Sequence, residues 1–520
     1  MPPWRDAASV RSGFRRAWAV ALGLPWYRFG AGVVAGAAGL GLTLLLRLLG
    51  LGLFLPELAV DFAVAVIPGE VESFFIQTMG GGAKILAVLV ALLAFLALLG
   101  ALAGLYRRLE RALGNRWLVI GANTAIASAV TLLVVIPILG GGPAGTATRP
   151  GPAATVFSQL LGAWLYASLL DYFLVEVAKR HPEGFSLSRR QFLAAGLLAL
   201  GSIALAAWGL GSLVARPGRL VFTSVLEMFD REVTPTSRFY TVTKNLVDPD
   251  VSVADWRLTV DGLVRDPVTR SYDELAATAA AEEYVTLECV SNQVGGDLIS
   301  TAKWTGLRLS DVLDAATPRP EADWVEFACA DGYTVAVPMA RARHPQALLA
   351  LRMNDAPLAR SHGFPARIVV PGLYGMFHAK WVTHLTLRRG EFLGFWQQKG
   401  WTNGGAIRTT AILAAPAPDT VINGPTRIGG VAFAGDRGIS AVEMSLDDGL
   451  TWLAATLKAP PLSGATWVLW TFEWDPATSG AHRVIVRAVD GGGVPQESAV
   501  EPPFPAGASG YDEVTYLVAL

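Results

Sequence analysis

Long runs of uncharged, apolar residues are confined to the first 215 residues of a 520-residue chain. A bilayer core about 30 Å thick takes roughly 20 apolar residues of helix. The runs at 28–54, 84–105, 117–139, 155–178 and 191–213 reach that length, so the chain is expected to cross a membrane with five helices. Hydrophobic residues make up 52% of the whole and charged ones 16%, against about 25% charged in an ordinary soluble protein. After about residue 220 the usual mixture of strands, turns and charges returns, so the chain reads as half membrane protein and half soluble domain. Basic residues accumulate in cytoplasmic loops. They gather at Arg5, Arg11, Arg15, Arg16 and Arg28, at Arg107, Arg108, Arg111 and Arg116, and at Lys179, Arg180, Arg189 and Arg190. The alternate connections hold Glu57, Asp61, Glu70 and Glu72, or only Arg149. Residues 1–27 are therefore expected in the cytoplasm, the spans within 28–215, and everything from 216 onward outside it, in a bacterial periplasm or at the cell exterior.

Ser188, Arg189, Arg190, Gln191, Phe192 and Leu193 open the fifth run. They resemble the twin-arginine export motif, which carries proteins already folded around a cofactor; adjacent arginines before an apolar run also serve as a plain topology anchor. None of the five runs contains a histidine, and the first half has only His181, in a cytoplasmic loop. Paired axial ligands for a membrane haem are thus missing, and no haem is expected. The spans read as an anchor, with a bare quinone pocket as a further possibility; Arg47 and Asp171 are their exceptional charges. With 42 basic and 43 acidic residues and no basic stripe, the chain lacks the electrostatic footprint of a nucleic-acid binder. Cys289 and Cys329 are its two cysteines, without the paired spacing of a zinc or iron–sulfur site.

Residues 216–407 alternate strands and helices as an α+β domain. WRLTV runs into the turn signal Asp261-Gly262, SYDELAATAA reads as a short helix capped by Ser271, and YVTLECV is a β-branched strand. Residues 408–520 show only short strands between Gly, Asp and Pro turns, the pattern of an immunoglobulin-like β-sandwich.

The stretch LECVSNQVGGDLISTAKWTGLRLSDVL, 287–313, concentrates the chemistry. A cysteine at a strand end is commonly a small buried hydrophobe. Behind Cys289, however, Ser291, Asn292, Gly295, Gly296 and Asp297 form a polar, glycine-rich loop that can approach a ligand closely. A thiolate there suits a soft or high-valent metal.

This stretch, together with SHGFPARIVVPGLYGMFHAKW at 361–381 and the strands after 408, resembles the sulfite-oxidase-like molybdopterin oxidoreductases over about residues 235–520. The resemblance implies one molybdenum held by a single pterin dithiolene, oxo groups and one cysteine thiolate, by position Cys289. It implies two-electron oxygen-atom transfer on a small molecule, electron exchange with a separate cytochrome or quinone-linked partner, and dimerisation through the C-terminal sandwich. By the same resemblance Ser291 and Asn292 border the cofactor, while His362, Arg367, His378, Ala379 and Lys380 match places that hold the pterin and its phosphate. Arg and Lys suit that task chemically; both histidines also read as ordinary loop residues. SRFYTVTKN, 237–245, is similar to a first cofactor loop, with Tyr240 and Asn245 as candidates. Tyr333 matches a tyrosine that faces the metal, though an aromatic on a strand is also a core residue. The sulfite oxidases follow the cysteine with CxxNR, where this chain has Gln293 after Asn292, and Thr241, Val242 and Thr243 stand where another arginine is expected. A diminished anion pocket makes a neutral S-oxide or N-oxide as fitting as sulfite, and leaves the direction of reaction open. The alternative is a membrane receptor or scaffold with a degenerate cofactor domain, which would be expected to have lost the thiol or the cations.

Overall fold

A computed structural model describes residues 26–79, 82–148, 150–177, 218–245 and 247–520. The described residues fall into two compact units, one before residue 216 and one after it, except that 67–79 group with the second.

In the first unit α1 (Trp26–Leu48), α2 (Leu55–Val66), α4 (Gly82–Leu113), α5 (Arg116–Val130) and α6 (Gly151–Asp171) follow in order. Among the described residues four helices are long and apolar enough to cross a membrane: Arg28–Leu48, Gly82–Leu113, Arg116–Ile138 and Gly151–Val175. The expected fifth, 191–213, and the motif at Ser188 to Leu193 lie outside the described residues. Asn115 caps α5 by accepting from Trp117 N at 2.9 Å. Small residues let the helices approach: a Cβ on Gly39 would lie 2.8 Å from the Gly162 carbonyl. The two exceptional charges have partners. Arg47 forks onto Glu57 through Nε at 2.8 Å and Nη2 at 2.9 Å. Asp171 accepts from Tyr106 and faces Arg116 Nε at 2.6 Å. Paired in this way, they are expressed as structure at the helix ends.

The acidic connection expected between the first two spans forms α2 and α3 (Gly69–Met79). Helix α3 groups with the second unit because Glu72 meets Lys399 at 3.3 Å, both side chains largely buried.

In the second unit, two sheets build the domain expected from the α+β pattern. One has the order β2 (Val268–Ser271), β1 (Arg257–Gly262), β10 (Val382–Arg388), β5 (Trp324–Cys329), β6 (Thr334–Pro338). The other joins β3 (Ala281–Glu288), β4 (Ile299–Arg308), β7 (Leu348–Met353) and β8 (Ala356–Pro357), with β9 (Arg367–Val369) paired to β7. The Ser271 cap is present as a full capping box on the helix Tyr272–Ala276. Fully buried Val325, Phe327, Leu349, Ile368 and Leu385 weld the two sheets into one core.

The C-terminal region is two facing sheets: β11 (Thr410–Ala415), β13 (Thr426–Phe433), β17 (Val468–Trp474) and β16 (Thr456–Leu457) in one, and β12 (Val421–Ile422), β19 (Asp512–Val518), β18 (Gly480–Asp490), β14 (Ile439–Ser445) and β15 (Leu453–Ala454) in the other. Ile428 and Trp470 from the first interdigitate with Val484, Val486 and Tyr516 from the second.

Candidate active site

Strands β3 and β4 pair antiparallel out to Glu288 opposite Ile299, and residues 289–298 form the excursion between them. Cys289 is its first residue. The Cys289 amide donates to the Leu298 carbonyl at 2.9 Å and its carbonyl accepts from Asn292 N at 3.0 Å, so the strand end fixes the thiol's position. Its Sγ lies 3.0 Å from Ser291 Oγ. Asn292 braces the loop from inside, accepting from Leu298 N at 3.0 Å and donating to Glu288 Oε1 at 3.1 Å. Burial pushes the Cys289 thiol above its ordinary pKa, against the hydrogen bond from Ser291. Such a thiol ionises only when a positive group such as a metal ion faces it.

Three further segments converge here. A Cβ on Gly375 would collide with Tyr240 Oη and lie 3.7 Å from Cys289 Cα, so the missing side chain lets the Tyr240 hydroxyl pack close to the start of the cysteine loop. Tyr240 stacks on Phe239, which presents its ring to the edge of His362. Tyr333 donates to the Met376 carbonyl at 2.6 Å and its amide to Asp331 Oδ1 at 3.0 Å; Asp331 Oδ2 accepts from Asn245 at 2.9 Å. Burial holds both Tyr240 and Tyr333 well above the ordinary phenol pKa, so both are neutral hydroxyls. Lys380 reaches two loops, donating to Val242 O at 3.2 Å and Ser361 O at 3.0 Å.

Arg367 is the most informative charge. It is 4% exposed and packs its guanidinium on the Trp304 ring at 4.9 Å. Its Nη groups donate to the carbonyls of His362 at 3.1 Å and His378 at 3.3 Å. Its Nε is buried with no hydrogen-bond partner, and no carboxylate pairs with it among the described residues. Burial lowers its pKa to about 10, leaving it charged at neutral pH. A buried charge costs several kcal/mol unless something compensates it, and a cation–π contact returns only about 2. The balance suits an anionic group, such as the phosphate of a pterin cofactor, docking beside it.

The two histidines are neutral. Burial, with Arg367 nearby, lowers His362 to about 4 and His378 to about 3. His362 Nε2 contacts Thr236 O at 3.1 Å. Both nitrogens of His378 are engaged inside its own loop, Nδ1 accepting from Val370 N at 3.3 Å and Nε2 donating to Leu373 O at 2.9 Å. Ala379 contributes backbone, its carbonyl accepting from Ile368 N at 2.8 Å. Sequence reasoning passed over Glu288 and Gly375. Glu288 is buried with Oε2 unpartnered, and burial raises its carboxyl to about 7. Its place next to Cys289 was the available signal; for Gly375 it was a lone glycine between Tyr374 and Met376. Cys329 is buried and, like Cys289, a free thiol.

A family model described as an oxidoreductase molybdopterin binding domain matches residues 245–396, and one for a Mo-co oxidoreductase dimerisation domain matches 406–500. The human mitochondrial sulfite oxidase is 32% identical over 319 residues, covering 52% of this chain and 58% of that protein. The chain thus spans little more than half of that relative's length. The Gallus gallus sulfite oxidase is 31% identical over 321 residues, covering 52% of this chain and 70% of that one. Among solved structures, the sulfane dehydrogenase SoxCD from Paracoccus pantotrophus superposes with a TM-score of 0.49 at 22% identity, over 55% of this chain and 84% of that chain. With these matches, a thiol at a strand end and a buried arginine that no carboxylate pairs with among the described residues, the chain belongs to the sulfite-oxidase-like family of molybdopterin-dependent oxidoreductases.

Proposed function

We propose that this chain is a membrane-anchored, extracytoplasmic molybdoenzyme that moves an oxygen atom to or from a small substrate. The observation that carries this reading is the buried Arg367, unpaired by any carboxylate, in the same sheet core that positions the Cys289 thiol. Cys289 would ligate molybdenum through Sγ. Arg367 and Lys380 would hold the pterin's anionic end, and Tyr240, Asn245, Ser291 and His362 would border it. Asn292 and His378 act as braces: the first fixes the Cys289 loop and the second places the carbonyl that Arg367 binds. The bound cofactor supplies the two-electron couple and the site of oxygen transfer. The protein's part is to exclude water, orient the substrate and supply neutral donors. The Tyr333 hydroxyl, its proton directed at Met376 O, can accept a hydrogen bond from substrate or orient it by contact.

Gln293 and the Thr241–Thr243 segment place no cation where a sulfite dianion would need one, which makes a neutral S-oxide or N-oxide as fitting a substrate as sulfite. The helices anchor the enzyme, and electrons exchange with a separate cytochrome or quinone-linked partner. The reading that the soluble unit lies outside the cytoplasm is supported by α3. This helix stems from the acidic connection between the first two spans and packs within that unit through Glu72 and Lys399. The C-terminal region, read as an immunoglobulin-type sandwich, would form the homodimer.

The test is the purified full-length protein, made in a host that synthesises the cofactor and assayed with redox dyes on sulfite, S-oxides and N-oxides. Wild type should turn over at least one of these substrates, and Cys289→Ser should abolish that turnover while membrane insertion persists. A wild-type protein free of molybdenum overturns the reading.

A further inference from the structure

The first described residues after the membrane half lie against the loop that carries Cys289. Gly218 N donates to Asp297 Oδ1 at 2.9 Å, Asp297 N donates back to the Gly218 carbonyl at 2.9 Å, and Leu220 N donates to the Gly295 carbonyl at 3.0 Å. Arg219 forms an isolated antiparallel bridge with Gly296. Residues 218–220 are therefore a short strap along the outer edge of the 289–298 excursion. Inside that edge the excursion holds itself with few bonds: Cys289 to Leu298, Asn292 to Cys289 and to Leu298, and Gly296 N to the Gln293 carbonyl at 2.9 Å.

The strap is locked by one side chain. Arg219 Nη1 and Nη2 fork onto Asp512 Oδ1 and Oδ2 at 2.8 and 2.5 Å, and Nη2 also donates to the Leu413 carbonyl at 2.9 Å. Asp512 starts β19 of the C-terminal region, is 2% exposed, and accepts from Leu413 N at 2.8 Å as well. A Cβ on Gly295, whose φ is +73°, would fall 2.6 Å from both Arg219 Nη1 and Asp512 Oδ1. The ion pair thus lies directly on the turn of the cysteine loop. Two residues on, Phe222 N donates to the Ala414 carbonyl at 2.7 Å, so the strap continues into the first strand of the C-terminal sheet. Bidentate Arg–carboxylate geometry with the carboxylate buried is the kind of ion pair that fixes orientation rather than merely decorating a surface.

We propose that Arg219 and Asp512 are positioning residues for the metal ligand: the membrane linker and the C-terminal domain together clamp the Cys289 loop in its cofactor-ready shape. The inference rests on Cys289 being the ligand. Residues 218–220 then do more than connect, because they brace the outer edge of the loop that carries Cys289.

Full-length Arg219→Ala, Arg219→Lys and Asp512→Asn are compared with wild type by amide hydrogen exchange and by molybdenum per chain. In Arg219→Ala, the amides of residues 289–298 should exchange at least about tenfold faster, while strands β13, β17 and β18 keep their protection, and molybdenum should fall several-fold. Arg219→Lys, which restores the charge but not the fork, should lie between. Unchanged exchange of the 289–298 amides in both Arg219→Ala and Asp512→Asn overturns the clamp. So does a rise of equal size throughout the sandwich, since that is a general loss of stability. Should Arg219→Ala fail to fold, the same criteria apply to Arg219→Lys and Asp512→Asn. Exchange is read on the protein whether or not metal is bound, so failure of the clamp is distinct from failure of Cys289 as ligand, which shows as a wild type without molybdenum.

Discussion

The C-terminal sandwich pairs every one of its arginines, whereas the cofactor domain pairs several on its surface but leaves its most buried one without a carboxylate. All five arginines after residue 407 have a carboxylate: Arg408 with Glu497, Arg427 with Glu473, Arg437 with Asp490, Arg483 with Asp448 and Glu513, and Arg487 with Glu443. The most deeply buried arginine among the described residues, Arg367, has none, and one of its nitrogens lacks any partner. Folding alone would favour an apolar residue at that place, since a buried lone cation is unfavourable. A domain that only folds completes its charges internally, and a domain built around an anionic ligand leaves one open for it.

The sharpest way to break this contrast is Arg367→Met. In the holoprotein it should weaken cofactor retention by about 2–5 kcal/mol, the scale for losing one partner of a buried charge-assisted contact, read as molybdenum per chain. The cofactor-free protein should be no less stable than wild type, or more so, by thermal unfolding. Marked destabilisation without cofactor would make Arg367 an ordinary structural residue.

The next effect comes from the neutral histidines around Arg367. His362 and His378 have folded pKa values near 4 and 3, below the value of about 6.5 in an unfolded chain. The unfolded state therefore binds more protons in that window. Their contribution to stability is complete above about pH 6.5 and is lost as pH falls toward 4, on the order of 1–2 kcal/mol per histidine by about pH 5. Chemical denaturation across that range checks it, and the slope should shrink in His362→Gln. A curve equally steep in that variant would count against it.

Smaller effects belong to the sandwich. Arg437→Ala leaves Asp490, whose side chain is 5% exposed, with only the Gly492 and Val494 amides on its Oδ1, and should cost about 1–2 kcal/mol. Arg427→Ala breaks a pair whose side chains are 59% and 71% exposed and should cost less than about 0.5 kcal/mol. Equal losses in the two variants would show that burial does not set the value of these pairs.

Much of this was legible in sequence order. β-Branched residues marked the strand leading into Cys289, Ser271 announced its capping box, and a thiol followed by a glycine-rich loop marked the site, while the returning strand β4 was not read from the sequence. What stayed hidden depends on distant residues. Helix α3 shows in the sequence only its acidic charges, since Lys399, which meets its Glu72, lies 327 residues away. The role of Arg219 is invisible beside Arg216 in a linker, since Asp512 is 293 residues on. Arg367 in ARIVV shows a cation flanked by apolar strand residues, but the lack of a carboxylate is a property of the packed core alone. His378 looked like a cofactor ligand beside Lys380, while its ring nitrogens turn out to serve its own loop. The pairing of Arg47 and Asp171, both within the first unit, was likewise undecided until their partners were placed.

Cys289 as metal ligand is most directly tested by X-ray absorption at the molybdenum edge, comparing wild-type protein with Cys289→Ser. The wild type should show one more sulfur neighbour around molybdenum than the variant, or the variant should hold no molybdenum at all. Equal sulfur coordination in two equally loaded proteins would mean that the thiol at the end of β3 does not touch the metal.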